Sequence, residues 1–132
     1  MPEGLLGGVM GQLESAVARR VRRHELLASN LAHASTPGYR ARDLEFAVEL
    51  EKGIARANGA PEMRRTDPRH LAGPSGPDAI VERDDPIGRD GNNVALDQEL
   101  GRLQSNATHV EATLQMLRHE FQQIEKVLSA NS

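Results

Sequence analysis

The stretch DQELGRLQSNATHVEATLQMLRHEFQQIEKVL, residues 97–128, carries Leu100, Leu103, Ala107, Val110, Leu114, Leu117, Phe121, Ile124 and Leu128 on an alternating three-four spacing. A repeat of about 3.5 residues keeps one apolar seam turned toward a partner helix around a left-handed supercoil, whereas the stripe of a lone surface helix drifts off such a seam. The segment therefore reads as one half of a helix–helix interface. At about 1.5 Å per residue it would span roughly 47 Å, a rod element too long for the core of one small compact domain.

Working outward, Asp90-Gly91-Asn92-Asn93 is turn chemistry. Val94 and Leu96 are placed to pack at the helix entry, and Asp97 to cap it. At the other end of the chain, Leu6, Met10, Leu13, Val17, Val21, His24, Ala28 and Leu31 repeat the three-four spacing and predict a second long amphipathic helix from about residue 9 to 33. Gly4, Gly7, Gly8 and Gly11 each cost up to about 1 kcal/mol relative to alanine in a helix, so its first turns are expected to fray unless a neighbour holds them. The helix must stop near Ser35. Pro37 has no amide hydrogen and restricts Thr36 to extended geometry, while Gly38 readily takes a positive φ. Asp43-Leu44-Glu45-Phe46 with Val48 and Leu50 then reads either as a short strand or as one or two helical turns with Phe46 and Leu50 on one face. From about Gly53 to Asn93 glycine and proline recur with few apolar residues beyond Leu71, Ile80, Val81 and Ile87. This predicts an irregular, partly flexible middle with room for a small β-hairpin.

Composition narrows the function classes. Aromatic residues make up 2% of the 132-residue chain, with Phe46, Phe121 and Tyr39 as the whole supply. Large aromatic side chains dominate ordinary cores, so thin Leu/Val/Ala seams between helices are expected instead. The net charge of −3 gives no global push toward nucleic acid or an anionic membrane. No apolar run is long enough to predict a membrane span. Residues 1–30 lack the basic and apolar regions of a cleaved secretory signal, which predicts no export by that route. Cysteine is absent, so disulfides, thiol catalysis and Cys-based metal sites are excluded together.

Each candidate for chemistry has a plainer reading. Arg19, Arg22 and Arg23 share a helical face, with Arg20 beside them, and could follow a phosphate backbone. Glu25 adjoins the cluster and no aromatic residue is interleaved, so a solvated face or an acidic subunit contact explains it more simply. His24, His33, His70, His109 and His119 have no second ligand at zinc-site spacing and read as structural. Asp84, Asp85 and Asp90 lack the alternating pattern of a calcium loop and read as a solvated acidic turn. Ser29, Ser35 and Ser75 have no nucleophile-elbow setting, and no phosphate-binding glycine loop is present. No catalytic residue, metal ligand or cofactor site is predicted, and an enzyme reading would need a convergent set of titratable groups that the sequence does not offer.

The segment from Leu27 through Ser29-Asn30-Leu31-Ala32-His33-Ala34-Ser35-Thr36-Pro37-Gly38-Tyr39 to Phe46 resembles the N-terminal signature of flagellar rod, hook and related axial proteins. The continuation Tyr39-Arg40-Ala41-Arg42-Asp43-Leu44-Glu45-Phe46, together with Asp90-Gly91-Asn92-Asn93-Val94-Ala95-Leu96-Asp97-Gln98-Glu99, resembles the proximal-rod branch of that superfamily. The likeness covers roughly residues 12–46 and 90–130, and the middle matches only loosely, at Thr66 and His70-Leu71. Two positions depart from it: His33 stands where the family often has Asn, and Ser35 where it often has Asp.

The resemblance implies a structural subunit of the basal-body rod that transmits torque from the membrane ring to the hook. Its implied partners are other copies of itself, other rod subunits, a ring-to-rod adaptor and the flagellar type III export gate, without nucleic acid or direct membrane insertion. It implies a place in the periplasmic rod after export without a cleaved signal, and partial disorder before assembly. Phe46 and Leu50 resemble the element that such subunits present to the export gate.

The expected fold is all-α and elongated, with long terminal helices pairing as an antiparallel coiled coil around the irregular middle. The expected segments are 1–46 for the first helix and turn, 47–91 for the insert, and 92–132 for the last helix. Leu13, Val17, Val21, Leu31, Leu103, Val110, Leu114, Leu117, Phe121 and Ile124 are the expected assembly seam, and Thr36, Pro37, Gly38 and Tyr39 the helix-exit turn. The alternative function is a coiled-coil adaptor binding nucleic acid through the arginine cluster.

Overall fold

The computed structural model describes residues 3–59 and 78–130, with side chains from Gly8 onward other than those of Glu49, Lys52, Ala55 and Arg56. Thr66, His70, Leu71 and Ser75 lie outside the described residues, as does the side chain of Leu6. In chain order the elements are α1 (Glu3–Ala32), β1 (Arg42–Leu44), α2 (Glu45–Ala57), β2 (Ile80–Glu82) and α3 (Leu96–Ala130). The chain divides into two compact units: residues 1–28 with 96–132, and Ser29–Ala95.

The first unit is a pair of long helices. α1 begins at Glu3, earlier than the sequence predicts, and runs through the glycine-rich turns. Propensity is a weak prior, and the glycines do not break the helix. α3 extends over 35 residues, about 52 Å. It starts at Leu96, so Asp97 sits inside the first turn with Glu99, where carboxylates favour the positive end of the helix dipole. The helices run antiparallel. Asn92 bonds the carbonyl of His33 at the end of α1, and further along α3 Asn106 bonds the carbonyl of Arg20, further back along α1.

The phase of this pair is a finding that apolar spacing did not show. On α3 the buried or half-buried positions, apart from Arg102 beside Glu99, are Glu99, Leu103, Asn106, Val110, Thr113, Leu117, Glu120 and Ile124, a full three-four repeat. The line Leu100, Ala107, Leu114, Phe121 and Leu128 stands exposed. On α1, Met10, Leu13 and Val17 are half-buried, but beyond them Arg20, Arg23 and Leu27 take the inner side, while Val21, His24 and Ala28 are exposed. Both helices thus meet partly through polar residues, among them the fully buried Glu99 and Asn106, which bond Arg102 and the Arg20 carbonyl respectively.

The second unit holds a two-stranded antiparallel sheet in which Arg42 faces Glu82, Asp43 faces Val81 and Leu44 faces Ile80. Both readings of residues 43–50 occur in succession, because the strand passes directly into α2 at Glu45. α2 outlasts the one or two turns read from Phe46 and Leu50, since Ile54 extends its apolar stripe. The core here is small: Ala41, Leu44 and Ala47 are fully enclosed.

Candidate functional site

The two stretches that carry the family likeness meet in the second unit, where side-chain amides lock them together. Thr36-Pro37-Gly38-Tyr39 closes as a turn, with the Tyr39 amide donating to the Thr36 carbonyl at 3.2 Å and Gly38 at φ +72°. A type II turn requires the positive φ that glycine supplies at the third position and favours proline at the second. Asn92, nearly buried, reaches across: its Nδ2 donates to the carbonyls of His33, Ala34 and Thr36 at 2.9, 3.2 and 2.8 Å. These carbonyls lie at and beyond the end of α1, outside its ladder, and those of His33 and Thr36 also accept from the amides of Thr36 and Tyr39. The Asn92 Oδ1 accepts from the Val94 amide at 2.6 Å, turning the chain toward α3.

Two further asparagines extend the lock. Asn93 Oδ1 accepts from the Ala41 amide at 2.6 Å while its Nδ2 donates to the Arg83 carbonyl at 2.9 Å. Asn30, fully buried on the last turns of α1, donates to the Arg42 carbonyl at 2.8 Å and accepts from the Arg42 amide at 3.0 Å and the Tyr39 hydroxyl at 3.1 Å. Its amide thus pairs with Arg42 as a neighbouring strand would. The Gly38 amide donates to the Asp90 carbonyl at 2.8 Å, which fastens the exit turn to the Asp90-Gly91 turn.

The departures from the family pattern have local consequences. His33 ends α1 without left-handed geometry, since only Gly38, Gly59 and Gly91 have positive φ among the described residues. Its ring stacks on Tyr39 at 4.6 Å, nearly parallel, and its Nδ1 bonds the Ser29 carbonyl at 2.8 Å. Ser35 is exposed.

An ion cluster, which the sequence reading did not single out, ties the strands to α2. The Arg83 guanidinium donates to Asp43 at 2.8 Å, Glu51 at 2.7 Å and Asp85 at 3.0 Å. Asp43 is completely buried and its other oxygen accepts from the Leu44 amide. Buried charges are tolerated where they are paired and hydrogen-bonded on every side, and Arg83 supplies that. The one available signal was an arginine directly following an apolar strand in an otherwise acidic loop.

The remaining sequence-predicted residues fall on helix faces. Leu13, Val17, Leu31, Leu103, Val110, Leu117 and Ile124 are half-buried, whereas Val21, Leu114 and Phe121 are exposed. On α2, Phe46 is half-buried and Leu50 exposed, one turn apart, with exposed Ile54 continuing the stripe. The arginine cluster does not form an outward basic face: Arg23 is 7% exposed, Arg19 and Arg20 are half-buried, and only Arg22 is open. Burial first, and then the like charge of Arg23, lowers the pKa of Arg20 below its ordinary value. Of the acidic turn, Asp85 is held by Arg83 and Asp90 Oδ1 accepts from the Asn92 amide at 3.1 Å. Among the described residues no His/Asp/Glu grouping could hold a metal ion, and no helix is long and apolar enough to cross a membrane.

Long terminal helices, an exposed apolar heptad line and an exit turn closed by amide hydrogen bonds define a helix-pairing protein of the coiled-coil class with an apolar seam turned outward. No protein-family profile matches the chain. It is 32% identical over 126 residues to the flagellar basal body rod protein FlgB of Salmonella typhimurium, covering 90% of this chain and 91% of that protein. The namesake from Cereibacter sphaeroides is 37% identical over 116 residues, 85% and 87% of the two chains, and that from Yersinia enterocolitica 31% over 130 residues, 93% and 95%. The chain belongs to the FlgB family of flagellar basal body rod proteins.

Proposed function

We propose that this chain is a structural subunit of the proximal rod, polymerising through its terminal helices and passing torque from the membrane ring toward the hook. The observation that carries the reading is the line Leu100, Leu114, Phe121 and Leu128, a heptad row of large apolar side chains left in water by the chain's own fold. A contiguous exposed apolar stripe marks an interaction surface, and a head-to-tail contact that does not close generates a helical tube. Other copies, other rod subunits and a ring-to-rod adaptor are the partners in this reading, with Val21 and Leu114 among the seam residues that neighbours cover.

Delivery through the flagellar type III gate, with Phe46 and Leu50 as the element presented to it, belongs to the same proposal. Their stripe on α2 supports it, since Leu50 is accessible even in the folded chain. The nucleic-acid alternative finds no support in the relatives, which are named as rod proteins, and the inward turn of Arg23 removes the face it needed.

Mass spectrometry of detergent-extracted basal bodies tests the proposal. The chain is expected at a stoichiometry comparable to that of other rod subunits. Its absence from intact particles would overturn the rod assignment.

A further inference from the structure

α3 buries two side chains completely, Glu99 and Asn106, and both are polar. They lie at the same heptad position, and the next two residues on that line, Thr113 and Glu120, are also polar and half-buried. Beside this line runs Leu103, Val110, Leu117 and Ile124. On its other flank runs the exposed line Leu100, Ala107, Leu114, Phe121 and Leu128. A heptad places adjacent lines about 50° apart around the helix. The most apolar seam available to α3 is therefore displaced by one line from the seam it uses against α1.

Apolar burial alone would roll α3 the other way, because Leu114, Phe121 and their neighbours gain far more on leaving water than Asn, Thr and Glu do. Something specific opposes that roll. Asn106 Nδ2 donates to the Arg20 carbonyl of α1 at 2.9 Å. Glu99 is held by Arg102 at 3.1 Å, and Arg20 and Arg23 occupy the inner side of α1. Asn106 Oδ1 meets no donor among the described residues. An amide that is wholly enclosed and only half satisfied does not maximise stability. Polar residues at core positions of coiled coils instead fix register and pairing at a cost in stability.

We infer that Asn106, supported by Glu99, is a positioning residue that sets the rotational phase of α3 on α1 and so keeps the Leu100–Leu128 line out of the seam between the two helices. The inference goes beyond the rod reading and does not depend on it. The phase itself is tested on the isolated chain.

The absence of native cysteine makes single-cysteine labelling direct. Ala107→Cys reports the exposed line and Thr113→Cys the inner one. With Asn106 present, the cysteine at 107 is expected to react several-fold faster. In Asn106→Ala the order is expected to invert, with 107 becoming protected and 113 open, while circular dichroism shows helicity retained. A merely structural asparagine would speed both sites together, so an unchanged order in the folded variant would overturn the inference. Should Asn106→Ala lose its helicity, Glu99→Gln carries the same reporters, and an unchanged order there overturns the inference equally. A chain missing from basal bodies would remove the rod assignment while leaving the labelling order as it is.

Discussion

Gly38 and Gly91 show how single residues fix the exit turn. Both have left-handed backbone, φ +72° and +79°, which a side chain makes unfavourable. They differ in their surroundings: a Cβ on Gly38 would meet nothing within 4 Å, whereas one on Gly91 would lie 3.3 Å from the Gly38 Cα. Gly38→Ala is therefore expected to cost about 1–2 kcal/mol and Gly91→Ala more, because backbone must also move. Urea unfolding midpoints rank the two, and a Gly91 variant no worse than the Gly38 variant would contradict the interlock of the turns. Asn92 is the second test at this scale. Asn92→Ala strips the shared donor from the carbonyls at the end of α1, an expected loss of about 1–3 kcal/mol. Asn92→Asp is expected to fall further, since it keeps the acceptor for Val94 but sets a carboxylate against those carbonyls. The same unfolding curves decide the order.

Between elements, Arg83 joins β1, α2 and the loop after β2 through one guanidinium. Arg83→Met leaves Asp43 buried and without its counter-ion, an expected loss of about 3–5 kcal/mol. Glu51, whose side chain is 38% exposed, is a weaker anchor, and Glu51→Gln is expected to cost about 0–1 kcal/mol. Thermal unfolding of the two variants measures the difference. Neither Arg83 nor the reach of the asparagines was legible in the sequence, because their partners lie far away along the chain. Asn92 and Asn93 read as turn residues, which they are, but nothing local says that they also bond Thr36 and Ala41. The long helices were legible because apolar periodicity reports them directly. The phase of their contact was not. A pattern built from apolar residues finds both the half-buried line Leu103, Val110, Leu117 and Ile124 and the exposed line Leu100, Leu114 and Phe121, and it passes over Asn106 and Glu99, so it cannot tell which of the two lines the chain itself covers. On α1 the same pattern finds Val21, which the chain leaves exposed, while Arg20 and Arg23, whose cluster reads as a solvated face or an acidic subunit contact, occupy the inner side.

For the molecule as a whole, the proposed rod function assigns folding and assembly to different residues, which makes the two separable by mutation. Leu27 is completely enclosed, so Leu27→Asp buries an unpaired charge and is expected to unfold the chain. Leu114 is 42% exposed in the isolated chain. Leu114→Asp removes few of the chain's own contacts, and its helicity and melting temperature are expected to stay close to those of the parent, within about 0.5 kcal/mol of stability. In a polymer the same aspartate enters every subunit contact made by that line, where an unpaired buried charge costs about 3–5 kcal/mol each time. Cells carrying only Leu114→Asp are therefore expected to export a foldable subunit, build no rod and fail to swim. Circular dichroism on the purified chain and swimming in soft agar read the two halves of the expectation. An unfolded variant would place Leu114 in the chain's own core, and a folded variant that swims normally would take the outer line of α3 out of the assembly.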